Sequence, residues 1–472
     1  MSIFSERLSL YIRQGNFNVI ELAKESGFSV ALLSKIKAGK RLSADEDKIR
    51  ALLGALRLAP AQREDLWKEY KIEKMGRGRY QAQQEARNLL LALSETETID
   101  ALRRTEVDYV YEYRPVVEGR DGVNAMYQYI VDMELREPGE RRLRLMLPTS
   151  FRFMRDYLFP ATWQRPDAPM EIIHVLELAS AMISEADCRN LASIREALEM
   201  VGACGKYIPY YYYCDDSIKN PYPYCVISSR HALFINGDGS RALFCIEREV
   251  VRAVAQEYDR MRQRCFPLVE EISDGTKYLQ GVVSAGGALG SFCAMAQQPC
   301  LLHHIPHQMA CRHLVREEGR DFGPETETFL QEYFSSTPDG TSIFSEEGLR
   351  EFLRTGRIWE LPEGLYTPLE PEERLEVLGR WLEAMENRNV RGYMMREKWR
   401  MTPYLGISDV PSSGLYFFQW LPGEQFLSYR LAEEGSRSVL ADLMHTIIES
   451  EETYSMEETV ERVRELLRGE GR

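Results

Sequence analysis

The chain has 472 residues, more than one ordinary hydrophobic core accommodates, so its length predicts two or three domains. Apolar residues make up 44% of the chain, which is ample for burying such cores, but no run of about eighteen apolar residues and no signal-peptide pattern occurs. Nine cysteines form no C-x-x-C pair, and their odd number argues against a secreted disulfide framework. We therefore expect a cytoplasmic protein with no membrane partner and no cofactor.

The charge is distributed unevenly along the chain. Residues 1–80 hold 16 Lys and Arg against 10 Asp and Glu, and residues 81–472 hold 43 against 63, which gives balances of +6 and −20. A small basic head therefore precedes a large acidic body. Such asymmetry predicts that the head binds a polyanion while the body is repelled by it.

Residues 1–75 show apolar residues at helical spacing, interrupted by Gly, Asn and Pro, which predicts a series of short helices. A second helix is expected over about 18–26, with Gly27 as its end. Ser29 is in the position of an N-cap for a third helix, and Gly39 is a natural C-terminal stop. The residues expected to face the core in these two helices are Ile20, Leu22, Ala23, Leu32, Leu33 and Ile36.

The segment after the third helix continues the helical pattern. Ser43 and Glu46 predict a capping box for a fourth helix, and Pro60 predicts the start of a fifth. Residues 75–80, MGRGRY, predict a linker, followed by a helix that ends in an apolar patch. That helix is interpreted as a connector, a dimer contact or an element docked on the body, within a linker helix region over 76–104.

The stretch NVIELAKESGFSVALLSKIKAGKR resembles the helix-turn-helix of XRE-like, Cro/repressor-type transcription regulators. The resemblance covers about residues 3–58 and implies a DNA-binding domain over 1–75. Two positions depart from the family pattern, because Val19 replaces a common Gln and Lys37 replaces a common Glu. The matching positions are Leu22, Ala23, Gly27, Ser29, Leu33, Gly39 and the basic pair Lys40 and Arg41.

The physical basis of that motif predicts which residues contact double-stranded DNA. A major groove admits one α-helix, and only residues near its N-terminus and on its outward face reach base edges. With the apolar stripe turned inward, Val30, Ala31, Ser34 and Lys35 are expected to face the bases. Basic residues and a helix N-terminus suit phosphates. The full predicted set is Asn18, Ser29, Val30, Ala31, Ser34, Lys35, Lys37, Lys40 and Arg41. The simpler interpretation is a helical bundle with a solvated basic face.

From about residue 105 the pattern changes to alternating strands and helices, which predicts an α/β body. The series YCVIS, ALF, LFCIERE from Tyr224 resembles YLGIS, LYFF, FLSYRLAEE from Tyr404. RLMLPTSFRFMRDYL and LHHIPHQMACRHLV also share a strand, Pro and helix pattern. The fold class is therefore a multi-domain chain with an all-α head and an α/β body. Two interpretations of the body remain open, two similar sensor units over 105–290 and 291–472 or a body without a true duplication.

The body carries little recognisable catalytic chemistry. The glycines of 281–291 match neither a P-loop nor a dinucleotide-binding fingerprint, and no G-x-S-x-G or H-E-x-x-H occurs. The segment His303–His313 holds four of the seven histidines, and His307 and Cys311 are spaced for one helix face. A metal site and a partly buried βα connection both remain open for it.

Ligands in open α/β sheets bind where a strand passes to a helix. Pro148-Thr149-Ser150 and Pro306-His307-Gln308 are expected at two such points, so the predicted ligand-binding residues are Thr149, Ser150, His304, His307 and Gln308. The order of short βα units is faintly similar to catalytically inactive phospholipase-D-like sensor folds. No H-x-K-x-x-x-x-D motif is present, so that resemblance implies no catalysis.

Together these features predict a transcription regulator that binds DNA through its head and is not an enzyme. The body is expected to sense an unknown small-molecule or peptide effector and to form a homodimer. The alternative is an enzyme with a regulatory DNA-binding head and chemistry near His303–His313. A third possibility is an adaptor whose head binds protein.

Overall fold

The computed structural model forms two compact units, Met1–Glu85 and Ala86–Arg472, which we call the first and second unit. The structure describes residues 2–94, 114–151, 156–158, 161–162, 169–180, 186–203, 206–214, 221–271, 291–313, 339–361, 366–396, 405–411, 413–421 and 425–470. The division between the units falls within one helix, ten residues after the predicted domain end at 75.

The first unit is helical throughout its described residues. Its helices are α1 (Ile3–Gln14), α2 (Val19–Ser26), α3 (Val30–Lys37), α4 (Glu46–Ala55), α5 (Pro60–Met75) and the start of α6 (Arg77–Ser94). Their inward faces form one core around fully buried Leu8, Leu33, Ile49 and Leu66. Pro60 is the first residue of α5, as predicted, because the first turn of a helix needs no amide from that position.

Two predictions in this unit were wrong in detail. Asp45, not Ser43, is the N-cap of α4, because its carboxylate accepts the amide of Lys48 while Ser43 Oγ accepts the amide of Asp45. The predicted linker 75–80 is a single residue, Gly76 with φ +87°, after which α6 begins at once.

The apolar end of α6 docks on the core of the second unit, which agrees with the third interpretation of the sequence, an element docked on the body. Ala86, Leu89 and Leu93 are buried in that core, and Arg87 forms a two-pronged ion pair with Glu452 at 2.9 and 2.7 Å. Gln419 Nε2 also donates to the carbonyl of Leu93. This helix end is therefore part of the body, and residues 95–104 of the predicted linker region lie outside the described residues.

The second unit contains two mixed sheets and the helices around them. The first sheet has β1 (Val116–Glu118), β2 (Arg141–Met146), β3 (Met170–Ala179), β4 (Tyr207–Cys214), β5 (Tyr224–Ile227), β6 (Ala232–Ile235), β7 (Arg241–Cys245) and β8 (Phe266–Pro267). The second has β9 (Val269–Glu271), β10 (Phe292–Met295), β11 (Gly340–Phe344), β12 (Val390–Met394), β13 (Leu405–Val410), β14 (Gly414–Leu421) and β15 (Gln425–Leu431). The helices are α7 (Arg120–Arg136), α8 (Ala186–Ala203), α9 (Arg248–Arg262), α10 (His307–His313), α11 (Glu346–Thr355), α12 (Pro371–Glu386), α13 (Glu434–Ile448) and α14 (Met456–Glu470).

The two sheets share one strand order. The first runs β4-β3-β2-β5-β6-β7-β1, with β8 added beside β4, and the second runs β12-β11-β10-β13-β14-β15-β9. In each sheet, three parallel strands are followed by an antiparallel meander of three strands. The far edge is closed by a strand that comes earlier in the chain, β1 in the first sheet and β9 in the second. The meanders contain the two similar series that begin at Tyr224 and Tyr404. The predicted similarity between RLMLPTSFRFMRDYL and LHHIPHQMACRHLV was misaligned. LHHIPHQ contains a 3-10 helix over Leu302–His304, and the strand β10 ends earlier, at Met295.

The chain passes from one sheet to the other at Leu268. β8 pairs with β4 of the first sheet and β9 pairs with β15 of the second, so the two sheets are separated by one residue. Leu268 is fully buried, its amide donates to the carbonyl of Pro209, and its carbonyl accepts from the amide of Ala432, each at 2.9 Å. β9 therefore belongs to the second sheet although it precedes residue 291.

A single core spans both sheets. It includes Leu143 and Ile172 of the first sheet together with Met295 and Phe417 of the second. The C-terminal helix α14 docks through fully buried Val463 on a separate core, as predicted for the tail. Its capping box is also present, since Ser455 and Glu458 exchange side-chain and backbone hydrogen bonds at 2.8 and 3.2 Å.

Candidate nucleic-acid interface

Helices α2 and α3 are joined by the three-residue turn Gly27-Phe28-Ser29. Gly27 has φ +70°, a left-handed conformation that glycine adopts without a Cβ clash, and it ends α2. Phe28 is buried in the core of the first unit, and Ser29 Oγ accepts the amide of Leu32 at 3.2 Å. The buried phenyl ring and the serine cap together fix the direction in which α3 leaves the turn.

Helix α3 separates its apolar and polar residues as the sequence predicts. Leu33 and Ile36 are buried, and Leu32 packs partly on the same core. The outward residues Val30, Ala31, Ser34 and Lys35 are all exposed, with Val30 exposed over 43% of its surface. An eight-residue helix is roughly 12 Å long, which is short enough to lie in a major groove.

The C-terminal end of α3 is closed by backbone hydrogen bonds. The amide of Gly39, with φ +66°, donates to Ile36 O, and the amide of Lys40 donates to Lys35 O, each at 2.9 Å. Ser9 Oγ of α1 donates to the carbonyl of Lys37 at 2.8 Å. This closure fixes the backbone from which Lys40 and Arg41 extend into solvent.

The cations around α3 differ from those on the neighbouring helices. In the described part of the chain, none of Lys35, Lys37, Lys40 and Arg41 lies within ion-pair distance of a carboxylate. Lys71 and Lys74 of α5, in contrast, both contact Glu46 at 2.7 Å. Burial acts to raise the pKa of Glu46, but hydrogen bonds from the two lysines outweigh it and hold that pKa below its ordinary value.

The two predicted cap residues, Asn18 and Ser29, each accept a backbone hydrogen bond within the protein. Asn18 Oδ1 accepts the amide of Ile20 at 2.9 Å, just as Ser29 caps α3. The amide of Ile20 is therefore occupied, so an anion at the N-terminus of α2 would use the neighbouring amides. Both cap residues are exposed, and Ser29 directly precedes α3.

Ile20 was wrongly assigned to the core. The helix begins at Val19, so positions 19, 22, 23 and 26 face inward and position 20 is turned outward by one helical step. Ile20 is exposed over 64% of its surface, while Val19 packs partly on the core. The exact start of α2, set by the Asn18 cap, was the signal that would have placed Ile20 beside the predicted DNA-contacting residues.

In the second unit, the predicted ligand residues Thr149 and Ser150 follow the end of β2. Thr149 is buried and Ser150 is exposed. Just before them, the carbonyl of Leu147 accepts a hydrogen bond from Nε2 of His174 on β3 at 2.9 Å. These two residues therefore occupy the predicted position at the carboxyl end of a parallel strand.

The other predicted ligand residues, His304, His307 and Gln308, do not occupy the equivalent position. Eight residues separate Met295, where β10 ends, from His304 in the sequence, and the first residues after β10 are Ala296 and two buried glutamines, Gln297 and Gln298. The segment packs through Leu302, Ile305 and Met309 on a different core from the one beside Thr149. The two predicted points are not brought together.

The histidine-rich segment holds separate contacts instead of one cluster. His307 Nε2 lies 3.5 Å from Cys311 Sγ, and His313 lies between Thr367 and Glu373, with Nε2 2.7 Å from Glu373 Oε2. Burial lowers the pKa of His304 to about 4. Across the described residues, no group of three or more His, Cys, Asp or Glu side chains is arranged to hold a metal ion.

The sequence analysis did not assign a role to His174, at the centre of β3. It is fully buried, with Nδ1 2.6 Å from the hydroxyl of Tyr207 and Nε2 bonded to Leu147 O. Burial lowers its pKa to about 4, so the neutral ring holds β2, β3 and β4 together at neutral pH. Its position within a continuous apolar strand was the available signal, since a polar residue there must be satisfied internally.

Searches for similar proteins found no matching family model and no matching curated protein. Among solved structures, the chain is similar to a polyphosphate kinase from Porphyromonas gingivalis at 10% identity and a TM-score of 0.22, covering 74% of this chain and 54% of the kinase. It is similar to the archaeal chromatin protein TrmBL2 at 14% identity and 0.24, covering 56% and 99%. A phosphatidylserine synthase from Haemophilus influenzae Rd KW20 matches at 8% and 0.23, covering 79% and 96%.

At these TM-scores the likenesses carry no argument about function, and the chain spans only about half of the kinase. As for membranes, none of the helices in the described ranges combines the length and apolarity needed to cross a bilayer. The proposals below therefore rest on the described side chains.

Proposed function

We propose that the chain is a cytoplasmic transcription regulator that reads operator DNA through a Cro/repressor-type helix-turn-helix, formed by α2 and α3. The observation that carries the proposal is the outward face of α3, where cations with no carboxylate partner among the described residues border small exposed side chains. Lys35 has the length to donate to guanine O6 and N7, and Val30 and Ala31 suit a thymine methyl. Lys40 and Arg41 are suited to phosphates.

A single such helix reads few base pairs, so two copies are expected to bind two half-sites about 34 Å apart. The second unit would supply the oligomer and the effector site. An effector that favours one conformation of the second unit would change operator affinity by its differential affinity for the two states.

The test is DNA binding by the full-length protein over a series of salt concentrations. Selection from random DNA should enrich a two-fold symmetric site. The double variant Lys40→Ala/Arg41→Ala should lower the slope of log affinity against log salt by about 2, because two cations proposed to contact phosphates are removed. The matched control is Lys68→Ala/Lys71→Ala on α5, which should leave the slope unchanged. A protein that enriches no site and shows no salt slope would contradict the proposal.

We further propose that the effector binds at the end of β2 through Thr149 and Ser150. Thermal-shift screening against metabolite and peptide panels would identify a stabilising compound. Thr149→Ala/Ser150→Ala should abolish its shift, whereas His307→Ala/Gln308→Ala should retain it, because those residues lie on a separate core. The opposite pattern would move the effector site to the histidine-rich segment.

The alternative of an enzyme with chemistry near His303–His313 would require these side chains to act together. His307 contacts Cys311, and His313 is held by Thr367 and Glu373. These separate contacts do not support concerted catalysis there, and we propose no reaction for the second unit.

A further inference from the structure

Apolar side chains are exposed together at one edge of the first sheet. In the described part of the second unit, eight large hydrophobic side chains are exposed, and four of them lie on β1, on β7, at the start of α9 or in the connection between β7 and α9. They are Val116, Leu243, Ile246 and Val250, exposed over 46, 38, 40 and 45% of their surfaces. We call these four residues the β1–α9 patch.

The patch continues the apolar face of the sheet under α9. Val116 and Leu243 are direct partners across the β1–β7 pairing, and Leu243 is the direct partner of Phe234 on β6. Phe234 packs beside Val251 and Tyr258 of α9, so Leu243 and Val116 extend the same face of the sheet toward its edge. Exposed apolar surface gathered in this way marks an interaction site more often than scattered single residues do.

In the second sheet, the positions that correspond to Leu243 and Val250 are buried. Leu243 is two residues before the end of β7, as Tyr429 is two residues before the end of β15, and each strand is followed by one residue, a glutamate and a helix. Val250 likewise corresponds to Ser436. Tyr429 and Ser436 are exposed over only 0 and 1%, and Tyr429 belongs to the core that spans both sheets. The corresponding face is thus covered in the second sheet and partly exposed to solvent in the first.

Charges of both signs frame the patch. Glu118 and Arg241 form an exposed ion pair at 2.9 Å beside Val116 and Leu243. Glu247, Arg248 and Glu249 are exposed next to Val250. Residues 81–472 carry a net charge of −20, so two copies repel each other over most of their surfaces. A mixed frame is self-complementary, because a two-fold axis can set each carboxylate against a guanidinium.

We propose that the β1–α9 patch is the surface through which two copies of this chain form a dimer. The inference rests on the proposed function, which requires two copies, and it names the surface and the partner. A central apolar cluster inside a polar, charged frame is the anatomy of a specific protein interface. β1 lies at the edge of the first sheet, where a two-fold related β1 can approach it.

The test is the oligomeric state of the full-length protein without DNA, measured by sedimentation over a concentration series. The wild-type chain should be a dimer. Leu243→Lys and, separately, Val250→Glu should raise its dissociation constant by at least about tenfold. The matched control is Leu375→Glu on α12, a similarly exposed leucine away from the patch, which should leave the dimer intact. All three variants should keep the wild-type far-ultraviolet circular dichroism spectrum, because the substituted side chains are exposed.

A wild-type chain that stays monomeric at every concentration would overturn the proposal, as would dimers that survive both patch substitutions. Recovery of a stoichiometric different protein on the patch would also overturn it. DNA binding is measured separately, so the two proposals fail independently. A patch variant that is monomeric should still bind a single half-site with wild-type salt dependence per copy. A chain that dimerises through the patch but binds no DNA would retain this interface and lose the proposed function.

Discussion

The two units use their charged side chains in different ways. Around α3 of the first unit, lysines and an arginine extend into solvent without carboxylate partners among the described residues. In the second unit, Arg144 forms two hydrogen bonds with Asp259, and Arg437 is held by Asp409 and the carbonyl of Val410. Paired charges hold elements of the fold together. Unpaired ones on a fixed backbone remain available to another molecule, and this contrast separates a binding surface from a structural one.

The largest effect expected from the contrast is on the stability of the second unit. Glu134 of α7 is almost fully buried and accepts hydrogen bonds from the amide of Arg142 and from the amide and hydroxyl of Ser229. Glu134→Ala removes the carboxylate that accepts all three hydrogen bonds, so the free energy of unfolding should fall by about 3 to 4 kcal/mol, since hydrogen bonds to a carboxylate contribute about 1.5 to 3 kcal/mol each. Urea unfolding followed by tryptophan fluorescence measures it. A loss below about 1 kcal/mol would contradict the assigned role.

Acid should destabilise the second unit before the first. The pKa of His174 is lowered from 6.5 to about 4 in the folded state by burial, so the unfolded chain binds its proton first as the pH falls. Stability is therefore full above about pH 6.5 and is lost progressively down to about pH 4, by on the order of 3 kcal/mol for this residue. Residues 1–85 contain no histidine and lack this contribution.

Urea unfolding between pH 7 and pH 5 is the measurement for this prediction, since carboxyl groups contribute mainly at lower pH. His174→Gln should reduce the dependence, the remainder coming from histidines such as His304, whose pKa burial also lowers, whereas His445→Gln, at an exposed position on α13, should leave it unchanged. An unchanged slope in His174→Gln would show that another group titrates in this window.

On α3, substitution should alter DNA affinity and leave stability intact. Lys35→Ala should cost about 2 kcal/mol of binding free energy and relax the preference at one base position. Its free energy of unfolding should stay within about 0.5 kcal/mol of the wild type, because the side chain is exposed. Fluorescence anisotropy with the selected site and its single-base variants measures the first effect. Equal losses for every base would reassign Lys35 to a phosphate.

The smallest effect is expected from removing a carboxylate that pairs with lysines in the first unit. Glu46→Ala removes the shared partner of Lys71 and Lys74, which should lower the free energy of unfolding by about 1 kcal/mol. DNA affinity should change little, since these lysines lie away from α3 on the helix α5. If DNA affinity fell as much as in Lys35→Ala, the division between paired and unpaired cations would not describe this unit.

Local signals in the sequence predicted much of this architecture. The caps at Asn18 and Ser29, the Gly27 turn and the periodic leucines were sufficient for α2 and α3, because short helices are defined by nearby residues. Strands β2 to β7 were also readable from apolar runs. The Ser43 cap was wrong, since Asp45 offers a carboxylate one position before the helix and only the folded turn decides between them.

What the sequence could not supply was long-range. The alignment of LHHIPHQ with a strand and helix failed because β10 is only four residues long and its connection begins with buried glutamines. The parallel order of β10, β11 and β12 depends on pairing between residues about fifty positions apart, which no local pattern encodes. The burial of His174 and the exposure of the β1–α9 patch likewise depend on neighbours brought in by the fold.

Leu268 determines how the second unit responds to mechanical load. Its amide is bonded to a strand of the first sheet and its carbonyl accepts from the residue that follows the last strand of the second, with one short strand on each side. The sheets are thus joined through one residue that is hydrogen-bonded to both of them, and not by a flexible hinge. Force applied to one sheet is transmitted to the other, and we expect the second unit to yield in a single cooperative rupture when it is pulled from its ends.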